Sequence, residues 1–193
     1  MKIEKPATCI TVYKEVFEPD MAKSFINMLN EEIENEWSEL GWGSSGVGQG
    51  AITQYRTSLS CSLVSFMKPY PETELSKFFQ RTIGDQVAEV AEDYRKEYLI
   101  ASAVFEPYQV LKYLPESEYH SHYDHFRDNA RVFSMVANLV SPESGGSLEF
   151  PLFDTTVECE AGSVVMFPSN FPYLHIAHPV VAGTKYSLVT WFR

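Results

Sequence analysis

The sequence predicts a mainly β protein with flanking helices, in which a β-core of the sandwich or barrel type fills the C-terminal half. From about residue 104 onward, short β-branched and aromatic runs alternate with turn signals such as "PESGG" and "EAG". Before that point, two longer stretches carry apolar residues at helical spacing. Because many short, evenly spaced strands are typical of a sandwich or barrel, we expect helices at about 18–100 to pack on a β-core at about 104–193.

The N-terminal part is predicted to begin with a strand at about Thr8–Phe17, which leads into a helix in "EPDMAKSFINMLNEEIENEW". Asp20 is the predicted N-cap of this helix, since its carboxylate can accept a hydrogen bond from a free backbone N–H group. The residues predicted to face the core are those at helical spacing: Phe25, Met28, Leu29, Ile33 and Trp37.

Two further segments precede the β-core. The glycine-rich loop Gly41–Gly50 lacks the ending of a phosphate-binding loop, and its glycine content predicts a mobile flap. The stretch "AITQYRTSLSCSLVSF" that follows is predicted to be extended. A second helical region is predicted from about Glu72 to Tyr98, with an interruption near Gly84.

Length and composition predict one globular domain spanning residues 1–193, because the chain is long enough to bury a core and 45% of its residues are hydrophobic. The net charge of −11 disfavours a nucleic-acid partner. The apolar runs are too short for a membrane helix, and the N-terminus lacks the apolar core of a signal peptide. We therefore expect no membrane partner and a cytoplasmic location, or the host cytoplasm for a viral gene. The oligomeric state stays open.

The three cysteines are spread through the chain and form no CxxC pair, which argues against a zinc ribbon or a redox dithiol. They are predicted to be small buried apolar residues.

The stretch "YHSHYDHF" concentrates three of the five histidines beside an aspartate. On a strand, alternate residues share a face, so His120, His122 and Asp124 are predicted to point the same way. A third ligand must then come from His175 or His178. Two histidines and one carboxylate on one face of an octahedron leave three open positions, which is the arrangement of non-haem Fe(II) oxygenases.

A single cation lies on the closing strand "GTKYSLVTWF", which is otherwise apolar or weakly polar. Lys185 therefore has two readings. It is either a surface lysine on an edge strand or a buried counter-ion for a dicarboxylate, which an ammonium group can bind as a point charge.

Taken together, these motifs resemble the 2-oxoglutarate- and Fe(II)-dependent dioxygenases of the prolyl 4-hydroxylase-like group. The family pattern has a tyrosine, a second tyrosine six residues on, and then HxD, matched here by Tyr113, Tyr119, His122 and Asp124. Further matches are "RVFSMVANLVSPESGGSLEF" and "FPSNFPYLHIAHPVVAGTKYSLVTWF". The resemblance extends from about residue 54 to the C-terminus.

The resemblance implies a double-stranded β-helix core of the jelly-roll or cupin-like type. In the closing motif of the family, the proline lies four residues and the basic residue ten residues after the ligand, which selects His175 as the ligand. It implies Fe(II) bound by His122, Asp124 and His175. It also implies 2-oxoglutarate as co-substrate, with its far carboxylate on Lys185.

Further implied residues line the same site. The hydroxyl of Tyr113 is expected to assist Lys185, and Asn138 is expected to point inward near the same end. Tyr119 and Arg56, the latter in the "QYRTSLS" segment, are the candidates for contacting substrate. Dioxygen is the second co-substrate, and the resemblance also suggests ascorbate binding.

The implied reaction is hydroxylation of an unactivated C–H bond, in a prolyl residue of a peptide or protein, with release of succinate and carbon dioxide. The alternatives are a hydroxylase of a free amino acid or small metabolite and a non-catalytic cupin-like binding module. Glu116 departs from the family, which often has glycine between the two tyrosines. His120, His125 and His178 receive no assigned role.

Overall fold

Two antiparallel β-sheets form the centre of the molecule in the computed structural model, which describes residues 1–45, 55–66, 72–101, 104–125 and 130–193. The large sheet has eight strands in the order β1-β2-β11-β7-β14-β5-β4-β3, and the small sheet has four in the order β10-β9-β12-β6. A two-stranded ribbon, β13-β8, lies apart from them. The strands are β1 (Lys2–Ala7), β2 (Ile10–Lys14), β3 (Gly43–Ser44), β4 (Leu59–Ser62), β5 (Gln109–Tyr113), β6 (Tyr119–His122), β7 (Phe133–Val140), β8 (Ser144–Gly145), β9 (Leu148–Phe150), β10 (Thr155–Val157), β11 (Val164–Pro168), β12 (His175–Ala177), β13 (Val180–Ala182) and β14 (Lys185–Phe192).

In the described part of the chain, three α-helices precede the β-core: α1 (Pro19–Glu34), α2 (Glu74–Phe79) and α3 (Asp85–Glu97). Short 3-10 turns occur at Val64–Phe66 and Pro151–Phe153. The predicted interruption of the second helical region is confirmed, because a π-helical turn, Gln80–Gly84, joins α2 to α3. Helix α2 begins with a capping box, in which the side chains of Thr73 and Ser76 each accept a hydrogen bond from the other's backbone N–H.

The helices pack on one face of the large sheet, as predicted for elements outside a β-core. Alternate residues of β7 and β14 point to that face, and their side chains join Phe25, Phe79 and Tyr94 of the helices in one apolar cluster. Leu188 of β14 is fully buried there. The opposite face of the same two strands is turned toward the small sheet, and the candidate site lies between the two sheets.

Three N-terminal predictions are wrong in detail. The first strand is a hairpin of β1 and β2, because the chain reverses just before Ile10 with Cys9 in the left-handed region. The N-cap of α1 is Glu18, so Asp20 lies inside the first turn. Trp37 is 89% exposed, because α1 ends at Glu34 and the helical spacing does not continue to it.

The predicted flap lies partly outside the described residues. Its first half is described as far as residue 45 and contributes the short edge strand β3, which pairs with β4. Residues 46–50 of the flap and the start of the extended stretch, residues 51–54, are outside the described ranges. Among the residues that the structure describes, the helices are too short or too polar to cross a membrane.

Candidate active site

Two strands of the small sheet bring two histidines face to face. His122 ends β6 and is the register partner of His175, which begins β12. Asp124 follows two residues after His122, on a bend beyond the end of β6, so the prediction that it shares a strand with His122 is wrong. The bend nevertheless aims its carboxylate at both imidazoles, at 3.6 Å from each Nε2 atom. One donor atom from each of these three residues lies within 4.8 Å of the other two.

Backbone hydrogen bonds fix both imidazole rings. The Nδ1 atom of His122 is 2.8 Å from the carbonyl oxygen of His120, and that of His175 is 3.1 Å from the carbonyl oxygen of Tyr173. Because a carbonyl oxygen can only accept, each Nδ1 donates, and Nε2 is the ring nitrogen that faces the carboxylate. Burial lowers the pKa of His175 to about 4, with a further decrease from His122, so its ring is neutral at neutral pH.

Two buried serines hold the carboxylate between the imidazoles. Ser134 donates from Oγ to Oδ2 of Asp124 at 2.7 Å and lies 2.8 Å from the hydroxyl of Ser169. Burial alone would raise the pKa of Asp124, but the nearby His175 and His122 together with the Ser134 hydrogen bond bring it below its ordinary value. The site therefore combines an anionic carboxylate with two imidazoles whose Nε2 atoms face it.

A cavity between the two sheets is lined by His122, Asp124, His175 and Lys185. Lys185 is only 3% exposed there. It begins β14 opposite Tyr113 of β5, and its ammonium donates to the carbonyl oxygen of Gly146 at 2.6 Å. A side chain at Gly146, which has a φ of +76°, would lie 3.2 Å from Cδ of Lys185, so this position suits glycine. Burial lowers the pKa of Lys185, which means that an anion beside it would restore a charge that the pocket disfavours.

Two residues with hydroxyl groups, Tyr113 and Ser187, line the same cavity as this ammonium. The ring of Tyr113 lies 5.2 Å from Nζ of Lys185, and burial raises the pKa of its phenol, which keeps the proton on the oxygen. Ser187, two residues along β14 and on the same face, is buried, and its Oγ has no hydrogen-bond partner among the described residues. A buried hydroxyl of this kind is costly unless a ligand satisfies it.

Beyond Lys185, a much smaller cavity of about 10 Å³ is lined by Asn138 and Cys159. The thiol of Cys159 donates to Oδ1 of Asn138 at 3.2 Å, and Nδ2 of Asn138 donates to Ser163 at 2.9 Å. Asn138 thus points inward as expected, but its amide oxygen is already engaged by the protein. Its contact with a co-substrate stays a prediction.

Arg56 and Tyr119, the candidate substrate residues, lie together at the same cavity. The guanidinium of Arg56 lies 4.7 Å from the ring centroid of Tyr119, whose ring in turn stacks on His122 at 3.5 Å. Burial raises the pKa of Tyr119 to about 12, so its phenol is neutral. Both side chains are largely buried, which makes them part of the cavity wall in this structure.

The remaining histidines lie outside the group of donor atoms. His120 pairs with Glu118 at 3.1 Å, so its predicted place on the ligand face does not bring it to the carboxylate. His125 faces the carbonyl oxygen of Arg131 at 3.0 Å, and His178 pairs with Glu149 at 2.5 Å.

The groups that line this cavity agree with the known proteins that the chain resembles. Residues 108–193 match the family model of the 2OG-Fe(II) oxygenase superfamily, and they contain the two histidines, the aspartate and the lysine. This segment belongs to that superfamily. No curated protein matches the chain in sequence.

Solved structures of prolyl hydroxylases share the fold of this chain. The viral collagen prolyl hydroxylase of Paramecium bursaria Chlorella virus-1 in its 2OG complex is 19% identical, with 97% of each chain covered and a TM-score of 0.69. The prolyl-4-hydroxylase of Pseudomonas putida is 18% identical, with 96% of this chain and 92% of that chain covered and a TM-score of 0.71. A Trichoplax adhaerens prolyl hydroxylase in complex with a hypoxia inducible factor peptide is 12% identical, covers 95% and 83%, and has a TM-score of 0.71. The predicted mainly β architecture is confirmed.

The residues present fit the iron and the co-substrate that the oxygenase superfamily implies. Two imidazoles from separate strands and one carboxylate from the bend after β6 converge, which is the ligand set of non-haem Fe(II) sites. The buried ammonium of Lys185 and the orphaned hydroxyl of Ser187 offer charge and a hydrogen bond to a carboxylate.

Sequence reasoning missed three residues of this cavity. Ser187 and Trp191 line it together with Lys185, and the alternation of residues along "KYSLVTWF" could have placed all three on one face. Ser134 had no comparable signal, because its contact with Asp124 depends on how β7 is placed beside the bend.

A larger cavity, of about 910 Å³, lies between α2, α3 and the end of β14, lined by aromatic side chains that include Phe79 and Tyr108. Among the described residues, the cluster of metal-binding groups lies in the smaller cavity of about 50 Å³ between the sheets. Chemistry rather than volume therefore identifies the candidate active site.

Proposed function

We propose that the protein hydroxylates an unactivated C–H bond with Fe(II), 2-oxoglutarate and dioxygen, releasing succinate and carbon dioxide. The observation that carries this proposal is the presence, in one cavity, of the His122, Asp124 and His175 donors and of the buried Lys185 ammonium. A non-catalytic metal-binding module would need the three donors but not a buried cation beside them. Family membership of residues 108–193 supports the same reaction class.

His122, Asp124 and His175 would hold the iron, which when bound supplies the oxidative chemistry on dioxygen. The carbonyl groups that accept from both Nδ1 atoms keep the imidazoles in the binding tautomer. Ser134 occupies Oδ2 of Asp124, which leaves Oδ1 free to bind the metal.

Lys185 would bind the far carboxylate of 2-oxoglutarate as a charge-assisted contact. Tyr113 would donate its phenolic proton to the same group, because its raised pKa keeps it protonated. Ser187 would add a third hydrogen bond from the floor of the cavity. The dry walls around them strengthen each of these contacts, since charges interact more strongly away from water.

Arg56 and Tyr119 would bound the substrate side of the cavity, next to His122. The substrate we propose is a prolyl residue of a peptide or protein. The shared fold with prolyl hydroxylases, one of them in complex with a peptide, supports this choice. Ascorbate as a reductant for the iron stays a prediction.

The test is a substrate screen with Fe(II) and 2-oxoglutarate, read as succinate formed and as a mass gain of one oxygen. Proline-containing peptides are compared with free amino acids, and the His122→Ala variant serves as the matched inactive control. We expect both readouts with a peptide and neither with the variant. Turnover of free amino acids alone would replace the peptide substrate by a small molecule, and absence of both 2-oxoglutarate binding and succinate would contradict the function.

A further inference from the structure

The small cavity beyond Lys185 is closed by a thiol. Its walls include Asn138, Gly146, Cys159 and Lys185, and it shares Lys185, Val136 and Leu148 with the candidate active site. Cys159 and Lys185 therefore border the same small cavity, and none of the three candidate metal donors is among its lining residues.

We propose that Cys159 forms the end wall of the co-substrate pocket and limits the length of the oxo-diacid that Lys185 can hold. This inference rests on the proposed function, because it takes the far carboxylate of the diacid to bind Lys185. It adds a determinant of co-substrate choice: a five-carbon oxo-diacid fits against the thiol, and a diacid with one more methylene does not.

Hydrogen bonds hold the thiol in place. Cys159 donates to Oδ1 of Asn138, Nδ2 of Asn138 donates to Ser163, and the hydroxyl of Ser163 donates to the carbonyl oxygen of Glu160 at 2.6 Å. All donors in this chain run in one direction, so the Asn138 amide has a single satisfied orientation. Ser163 and Asn138 are buried, which makes the wall behind the thiol rigid.

The buried cation is the independent observation that marks this place as part of a ligand site. Lys185 is more than nine-tenths buried, and the partner given to its ammonium by the described residues is a neutral carbonyl oxygen. An anion that neutralises Lys185 can reach it through the larger cavity that Lys185 shares with His122 and His175, whereas Cys159 and Val157 line the smaller one. The sheet then fixes the distance from the metal ligands to Lys185. Cys159 limits the space available to a longer diacid next to Lys185.

The size of the expected effect follows from the volume of one methylene. A pocket that fits its ligand discriminates against one additional methylene by about tenfold or more. Cys159→Ala removes one sulfur atom, which is space enough for that methylene, whereas Cys159→Ser keeps both the donor to Asn138 and most of the volume.

The experiment measures the affinities of 2-oxoglutarate and of its six-carbon homologue 2-oxoadipate by calorimetry on the Mn(II)-loaded protein. We expect the unsubstituted protein and Cys159→Ser to prefer 2-oxoglutarate by about tenfold or more, and Cys159→Ala to lose most of that preference. Cys61→Ala, a buried cysteine on β4, is the control and keeps it. An unchanged preference in Cys159→Ala would overturn the inference, whereas failure of the unsubstituted protein to bind 2-oxoglutarate would overturn the proposed function.

A second measurement needs no substitution and covers the case in which Cys159→Ala does not fold. Labelling of the Mn(II)-loaded protein with iodoacetamide is followed by mass spectrometry, with the half-buried Cys9 as internal reference. We expect 2-oxoglutarate to slow labelling of Cys159 in proportion to its occupancy and to leave Cys9 unchanged. Labelling of Cys159 at the same rate with and without bound 2-oxoglutarate would place the thiol outside the pocket.

Discussion

The two faces of the large sheet use the same strands for opposite purposes. On β14, Leu188 and Phe192 point toward the helices and belong to the apolar core, whereas Lys185 and Ser187 point toward the small sheet. The eight residues of β14 are all buried, so burial alone does not distinguish the faces. The difference lies in what is buried: one face gains stability from apolar packing, and the other gives up stability to keep a charge and a hydroxyl away from water.

Substitutions on the two faces of the large sheet should therefore affect different properties of the protein. Truncation on the helix face should cost stability and leave ligand affinity unchanged. Removal of polar groups on the site face should cost affinity or activity and leave stability unchanged or raised.

The largest effect is expected for a metal donor. His122→Ala removes one of the three converging ligands, so succinate formation should fall to background in a succinate assay with Fe(II) and 2-oxoglutarate. His178→Ala is the matched control, because His178 pairs with Glu149 outside the donor group, and it should retain turnover. Turnover in His122→Ala equal to that of the control would remove His122 from the site.

On the helix face, Leu188→Ala should lower the free energy of unfolding by about 2–5 kcal/mol, because it opens a void in a fully packed core. Urea unfolding measures this loss. The affinity of the folded variant for 2-oxoglutarate should match that of the unsubstituted protein in calorimetry. A large loss of affinity with little change in stability would contradict the division between the faces.

On the site face, Lys185→Met should weaken 2-oxoglutarate binding by about 1.5–3 kcal/mol, the usual range for a hydrogen bond to a charged group. The free energy of unfolding should stay the same or rise, since the variant replaces a buried ammonium by an apolar chain. Lys112→Met is the matched control, because Lys112 lies on the neighbouring strand with its ammonium near the ring of Trp42. Equal affinities in the two variants would place Lys185 outside the binding site.

The smallest effect is expected for the buried hydroxyl of Ser187, which has no hydrogen-bond partner among the described residues. Ser187→Ala should weaken 2-oxoglutarate binding by about 0.5–1.5 kcal/mol through the loss of one hydrogen bond, without lowering stability. Ser62→Ala on β4 is the control, because Ser62 is exposed. If Ser187→Ala instead destabilised the protein and bound 2-oxoglutarate normally, the hydroxyl would be a structural group.

Much of this arrangement was predictable from sequence because it follows local periodicity. The short strands expected from about residue 104 onward are present, and the break near Gly84 coincides with the π-helical turn. The HxD spacing and Lys185 pointed to the residues that the structure brings together. Glu116, where the family often has glycine, adopts a φ of +68°, so the turn keeps the left-handed conformation that glycine favours.

The contacts that the sequence does not predict depend on how separate segments of the chain pack together. The contact of Ser134 with Asp124 joins β7 to the bend after β6, and the small cavity brings Cys159, which follows β10, beside Lys185 of β14. The helical spacing does not predict the position of Trp37, because α1 ends at Glu34 and Trp37 is 89% exposed.

The most direct test of the account is a crystal structure of the protein with Mn(II) and 2-oxoglutarate, with anomalous scattering recorded at the manganese edge. The account predicts one strong peak bonded to His122, Asp124 and His175, with the far carboxylate of 2-oxoglutarate on the ammonium of Lys185. A peak at another place, or a diacid whose far carboxylate turns away from Lys185, would contradict it.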